Sequence, residues 1–267
     1  MKSLAGMNVV ITGGASGIGK EMALRFAKEK ARVAILDVDR RKLRQVEKEL
    51  KGLETKVFTY VCDVSDRKKI ERAAKLLAKD LKSVDILVNN AGIVVGKTMV
   101  DSTHEEIQKT IDVNLMGVIW MTKALLPKMM RRKKGHIVNI ASAAGMLAVP
   151  KLVDYCTTKF AVIGFSDSLR MEMKKYGYKG IKVTCVCPSI IDTGMFEGFT
   201  PPLLSPLLKP EVVAAKIIKA VKKERSYLKT PFIVKLVPLF KFLPATFVDW
   251  LGDLLGTSRA MDHFKGR

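Results

Sequence analysis

A short apolar run, Asn8 to Thr12, passes directly into the turn Gly13-Gly14-Ala15-Ser16-Gly17-Ile18-Gly19 and then into a helical stretch reaching about Lys30. A strand, a glycine-rich turn and a helix in that order, followed by further strand-like and helix-like segments in alternation, leave few architectures open. Parallel strands need crossover helices, and these cover both faces of the sheet. Further strands are expected at Arg32 to Asp37, Lys56 to Asp63, Asp85 to Asn89, His136 to Ile140 and Lys182 to Cys187. Between them lie helical patterns from Asp37 to about Leu50, from Asp66 to Asp80, from His104 to Met130 and from Asp154 to Tyr176. Beyond Pro188 the pattern loosens into a Pro- and Leu-rich stretch, Thr200 to Pro210, before a helix from Pro210 to about Lys223 with proline in its first turn. No repeat, linker or low-complexity block divides residues 1–267, so the expectation is an α/β protein: a single-domain Rossmann fold, with a doubly wound parallel sheet and helices on both faces.

The glycine turn carries the first chemical signal. Its glycines permit a tight bend and close approach of a pyrophosphate, and the helix behind presents free N–H groups and a positive dipole end. Gly13, Ser16, Gly17, Ile18 and Gly19 are therefore candidate cofactor-binding residues. The spacing G-x-x-x-G-x-G departs from the commoner G-x-G-x-x-G. Asp37 ends the second strand, where a carboxylate can accept bonds from both ribose hydroxyls and repels a 2′-phosphate. NAD is thus favoured over NADP, although Arg40 and Arg41, otherwise helix-surface residues, are close enough in sequence to reach such a phosphate. Asp63 and Val64 close the third strand beside an expected adenine edge. Asn90, Ala91 and Gly92 close the fourth with small residues that let the backbone lie near a cofactor.

Tyr155 and Lys159 are four apart, a spacing that puts both on one face of a helix. A nearby cation favours the phenolate and lowers the phenol pKa. Ser142, thirteen residues before Tyr155, can polarise the same substrate oxygen, which gives a proton-transfer apparatus for an alcohol or carbonyl.

With TGGASGIG, Asp63, NNAG at 89–92, Asn114 in DVNLMG, Ser142 in NIASAAG and YCTTK at 155–159 in order, residues 6–195 resemble the short-chain dehydrogenase/reductase family. The resemblance implies Tyr155 as general acid/base and Ser142 as a hold on the substrate oxygen. It implies that Lys159 lowers the tyrosine pKa and binds the nicotinamide ribose, and that Asn114 holds a water relaying protons through Lys159. Pro188 and Thr193 match positions at the nicotinamide end, while Ser189 stands where the family usually has glycine. The stretches GIVVGKTMVDST, VDYCTTKFAVIGFSDSLRMEM and PSIIDTGMFEGF are similar to the subgroup of retinol dehydrogenases, epidermal retinol dehydrogenase-like enzymes and lipid-droplet 17-beta-hydroxysteroid dehydrogenases. Members of that subgroup typically carry a hydrophobic N-terminal anchor, whereas this sequence reaches its first strand at Asn8.

The family places its substrate lid at 194–212, which here contains Met195, Phe196, Phe199, Leu203, Leu204, Leu207 and Leu208. Met195, Phe196 and Phe199 join Ser142 and Tyr155 as expected substrate contacts. Such a surface suits a lipophilic retinoid, steroid or long-chain alcohol, each buried CH₂ contributing about 0.8 kcal/mol, although part of the set packs the lid onto the core. Residues 231–251 form an apolar stretch interrupted by Lys235, Lys241 and prolines. It can lie at a membrane or lipid-droplet surface, cover the pocket or form a subunit interface. The net charge of +21 attracts anions but is spread along the chain, which reads as a solvated basic surface. A non-catalytic lipid- or nucleic-acid-binding protein on this scaffold would show a broken catalytic set, and the set is intact, so nucleic acid is disfavoured. An NADPH-dependent carbonyl or 3-ketoacyl-type reductase is the rival within the class, against which Asp37 and the apolar lid stand. The four cysteines lack ligand spacing, so no metal site is expected, and they read as reduced thiols of a cytoplasmic protein. The two long helices suggest a homodimer or homotetramer.

Overall fold

Seven parallel strands make one sheet in the order β3-β2-β1-β4-β5-β6-β7: β1 Asn8–Thr12, β2 Arg32–Asp37, β3 Val57–Val61, β4 Ile86–Asn89, β5 Gly135–Ile140, β6 Ile181–Pro188 and β7 Tyr227–Thr230. In this computed structural model the described residues are 3–53, 55–203, 205–240 and 242–265. Leu204 and Lys241, counted above in the lid and the C-terminal segment, lie outside them. The register aligns the strand ends: Thr12 pairs with Leu36, Asn89 with Asn139 and Pro188 with Thr230. All the candidate loops therefore leave the sheet on its C-terminal edge, where open α/β sheets bind ligands.

Each face has its own core. On one, α1 (Gly17–Lys28), α2 (Arg40–Lys51) and α7 (Pro210–Lys222) bury Phe26, Leu50 and Ile217 against Val9, Ile11 and Val33. On the other, α3 (Arg67–Leu81), α5 (Gly117–Arg131) and α6 (Val153–Lys175) bury Leu77, Met121 and Leu169 against Val10, Leu87 and Ile137. Because β-strand side chains alternate, Val9 and Ile11 serve one core and Val10 the other. Cys185 and Cys187 share a face of β6 with their sulfurs 3.8 Å apart, and all four cysteines are free and buried. Asn89 Nδ2 donates to Thr122 Oγ1 at 3.0 Å and to Asn139 Oδ1 at 2.8 Å, and Asn139 Nδ2 donates to Ser166 Oγ at 2.9 Å. This polar ladder crosses from β4 through β5 to α6. His136 is buried, with Nε2 2.7 Å from Thr184 Oγ1. The Thr184 hydroxyl donates to Arg225 O, so Nε2 carries the proton that Thr184 accepts. Burial holds the imidazole pKa down to about 4.

The structure departs from the expected elements in four places. The third strand ends at Val61, so Asp63 and Val64 sit in the loop beyond it. The helical pattern from His104 to Met130 is split into α4 (His104–Ile111), a π turn (Asp112–Met116) and α5. α5 ends at Arg131, and β5 opens at Gly135, one residue before the expected strand start at His136. β7 lies at the sheet edge, where only alternate residues are buried, so its Tyr-Leu-Lys-Thr carries no continuous apolar run.

The segment after β7 is a 3₁₀ turn (Phe232–Lys235) and a short α8 (Val237–Phe240), which bury Val234 and Val237, and then α9 (Ala245–Leu254), which buries no residue. No helix among the described residues is long and apolar enough to cross a membrane.

Candidate active site

The glycine turn is held from below. Asn90 Nδ2 donates to Thr12 O at 3.0 Å and to Gly13 O at 2.9 Å, while Thr12 Oγ1 accepts from the backbone of Asn90 and Ala91. The Asn90 amide, expected at the cofactor, thus builds the turn, and the residue also lines the cavity. Thr12 was not singled out by its sequence context. Gly13 has φ +62° and Gly17 φ +53°, conformations that favour glycine. Ser16 caps α1 with extended backbone and no side-chain cap bond, beside the free N–H groups of the first turn.

Asp37 Oδ2 accepts from Ala15 N at 3.0 Å and Oδ1 from Asp39 N at 3.1 Å, which aims the carboxylate into the same cavity. Asp63 Oδ1 accepts from Ser65 N and Oγ, and its Oδ2 lies 3.1 Å from Lys109 Nζ. Burial pushes the Asp63 carboxyl up, but the bonds from Ser65 and Lys109 outweigh it and hold it below the usual range. Lys109 comes from α4, 46 residues away, and its exposed position on a charged helix gave no sign of this role.

At the other end of the cavity, Ser142 caps the 3₁₀ turn Ala143–Gly145, its Oγ accepting from Ala144 N at 3.1 Å. Tyr155 and Lys159 lie on α6, buried, with the ammonium 5.4 Å from the phenol ring centre. Lys159 Nζ donates to Ile140 O at 3.0 Å. Burial of the ammonium pulls its pKa down to about 8. The phenol pKa of Tyr155, expected to be lowered by the nearby cation, is raised by burial, and the hydrogen bond with Ser142 offsets only part of that. Asn114 is fully buried in the π turn, its Oδ1 accepting from Ile93 N and its Nδ2 donating to Ile93 O. Both bonds fix the Gly92–Ile93 backbone. A Cβ on Gly92 would stand 3.3 Å from Asn114 Oδ1 and 3.6 Å from Lys159 Nζ, so Asn114 and Lys159 converge there.

One cavity of about 410 Å³ runs between these ends, lined by Gly13, Ser16, Gly17, Ile18, Asp37, Asp63 and Val64 at one side. Ala91 and Gly92 line its middle, and Ser142, Tyr155, Lys159, Pro188, Thr193, Met195 and Phe196 the other side. Gly19 and Phe199 do not line it. Gly19 packs under the turn, where a Cβ would overlap Gly13 O, and Phe199 stands behind Phe196 with ring centres 6.1 Å apart. Ser189 lines the cavity, although its Oγ is buried with no partner among the described residues. The cradle suits a dinucleotide: glycines where a Cβ would collide, a carboxylate at the β2 end, and the polar triad Ser142, Tyr155 and Lys159 beyond the β5 end.

A family described as short chain dehydrogenase matches residues 7–202. The chain is 40% identical to human epidermal retinol dehydrogenase 2 over 98% of its length and 86% of that protein. It is 37% identical to human 17-beta-hydroxysteroid dehydrogenase 13, covering 91% of this chain and 81% of that protein. Among solved structures, a short chain dehydrogenase/reductase from Burkholderia phymatum in complex with NAD matches with TM-score 0.83 and 25% identity, covering 91% of this chain and 95% of that one. The ordered motifs, the sheet order and these likenesses agree, and the chain belongs to the short chain dehydrogenase family of oxidoreductases.

Proposed function

We propose that this oxidoreductase interconverts a lipophilic primary or secondary alcohol (retinoid, steroid or long-chain) and its carbonyl, using NAD in preference to NADP. The observation that carries the reading is the single cavity joining the glycine turn and Asp37 to Ser142, Tyr155 and Lys159. A dinucleotide held by the glycine turn and Asp37 would supply the hydride acceptor for the carbinol carbon, or the donor in reverse. Tyr155 Oη takes the hydroxyl proton in oxidation and returns it in reduction, while Ser142 holds the same oxygen. Lys159, anchored on Ile140 O, sets the charge beside the phenol and binds the nicotinamide ribose. Asn114 fixes the backbone beside Lys159, which suits a water relay there. Met195 and Phe196 supply the apolar wall. The names of the two relatives, a retinol and a hydroxysteroid dehydrogenase, support this substrate class.

A screen of retinol, steroids and aliphatic alcohols with NAD and NADP in parallel, followed by nicotinamide fluorescence, tests it. The expected kcat/KM for NAD exceeds that for NADP at least tenfold, because Asp37 meets the 2′-phosphate. Equal turnover of both removes the Asp37 argument, and no oxidation of any alcohol removes the reading.

We further propose that the protein is peripheral to an anionic membrane or lipid-droplet surface and forms a homodimer. Phe232, Phe242 and Trp250 are 68%, 86% and 57% exposed in the C-terminal segment, and Lys235 Nζ stands 5.0 Å over the Phe232 ring, leaving its charge at the surface. Asp249 and Asp253 lie on the same α9 and oppose such a surface, so the wider basic excess supplies the attraction. The exposed Val153 and Met171 on α6 support the dimer reading. Sedimentation velocity is expected to read a dimer, and flotation to carry the protein up with phosphatidylserine-containing vesicles. A monomer, or a protein left wholly at the bottom of the gradient, removes the corresponding proposal.

A further inference from the structure

Behind the cavity wall formed by Phe196 lies the end of the chain. Residues 255–265 return over the lid and are stitched to it by backbone bonds: Leu203 N donates to Leu255 O, Thr200 N to Ala260 O, and Lys265 N to Glu197 O, at 2.9, 2.9 and 3.1 Å. Lys151 adds a charged contact with Asp262 at 3.8 Å. Ala260 and Met261 are almost fully buried, so this is a packed element and not a loose terminus.

Two glycines are fitted to it. A Cβ on Gly96 would overlap the Phe264 ring and stand 3.1 Å from Met261 Cε. A Cβ on Gly198 would overlap His263 O. Phe264 in turn lies 6.4 Å from Phe196, and Phe196 lies edge-on to Tyr155 at 5.8 Å with an interplanar angle of 85°. Three rings, Tyr155, Phe199 and Phe264, therefore surround the one ring that lines the cavity beside the phenol.

We infer that the C-terminal tail sets substrate selectivity, with Phe264 as a positioning residue that holds Phe196 against Tyr155. The inference rests on the proposed reading of Tyr155 as the residue that meets the substrate oxygen. With Phe264 in place, Phe196 narrows the space next to the phenol and packs on a slim alkyl chain. Without it, Phe196 can turn into the vacated volume, which widens the site for a fused-ring alcohol and removes the contact a slim chain uses.

The test compares kcat/KM for a steroid secondary alcohol and for a linear primary alcohol, both with NAD. In Phe264→Ala the steroid-to-linear ratio is expected to rise about tenfold, the scale on which small changes in an apolar pocket discriminate, with the KM for NAD unchanged. Gly96→Ala, which displaces the Phe264 ring, should shift the ratio the same way, and Phe264→Leu by less. Thermal melts accompany each variant. If Phe264→Ala does not fold, Phe264→Leu and Gly96→Ala decide. A ratio within twofold of wild type in the folded variants overturns the inference. Tyr155→Phe separates the two failures: full turnover in that variant would defeat the catalytic reading itself, whereas an inactive Tyr155→Phe beside an unshifted Phe264→Ala defeats only the role of the tail.

Discussion

Tyr155→Phe is expected to lose turnover by at least 10²- to 10⁴-fold, the range that a positioned acid/base supplies, while NAD binding stays at its wild-type strength. The substitution keeps the ring that meets Phe196 edge-on, so the wall of the cavity is preserved. What disappears is the hydroxyl, and the residue is only 6% exposed, which leaves little room for water to replace it. Steady-state kinetics and a fluorescence titration with NAD make the measurement, and substantial residual activity would sink the role. The wild-type pH profile belongs to the same test. Burial raises the Tyr155 pKa, so near neutral pH the phenol is protonated. Carbonyl reduction uses that form directly, whereas alcohol oxidation needs the phenolate, so the oxidation rate should climb as pH rises into the alkaline range. Lys159 loses its own proton near pH 8, which withdraws the cation from the phenolate and blunts the climb above that point.

Gly19→Ala should abolish useful cofactor binding, raising the Kd for NAD more than a hundredfold, which corresponds to about 2.7 kcal/mol. The added Cβ would overlap Gly13 O and stand 2.6 Å from Asn90 Nδ2. Neither neighbour can yield alone. Gly13 is fixed at φ +62° and its carbonyl is held by the Asn90 amide at 2.9 Å, which also holds Thr12 O. Relief therefore requires the start of α1 to move away from the turn, and the N–H groups facing the pyrophosphate site move with it. Gly164→Ala is the control, because a Cβ there meets nothing within 4 Å and the residue is helical. That variant should bind NAD normally and be about 0.5–1 kcal/mol more stable. Isothermal titration and thermal melts compare the two, and normal NAD binding by Gly19→Ala would refute the steric account.

The five inner strands are legible in the sequence because they are largely apolar runs buried on both faces, as β1 shows with five buried residues of five, and the edge strand β3 is legible because Val-Phe-Thr-Tyr-Val is all β-branched or aromatic. β7 escapes because an edge strand alternates, and four residues are too few to show it. The π turn escapes for a different reason: its periodicity differs from the flanking helices over only five residues, and the cause is tertiary, the bonds between Asn114 and Ile93. In the site, residues carried by short motifs were found, whereas Lys109 and Phe264 act across long separations on partners that sequence spacing does not reveal. Spacing reports the cation beside Tyr155 and not the depth of burial, which raises the phenol pKa.

The ladder from Asn89 through Asn139 to Ser166 has a consequence for drift among relatives. Apolar layers tolerate exchange of one aliphatic residue for another when volume is kept. A helix sliding by one turn over such a layer would meet a similar surface. Here it would leave the Asn139 amide and the Ser166 hydroxyl without their bond in a dry interior, each unmet group costing about 1–3 kcal/mol. α6 therefore has one permitted axial position on the sheet. Its aliphatic surroundings are free to diverge while Tyr155 and Lys159, three and two turns from that anchor, arrive at the same height above β5.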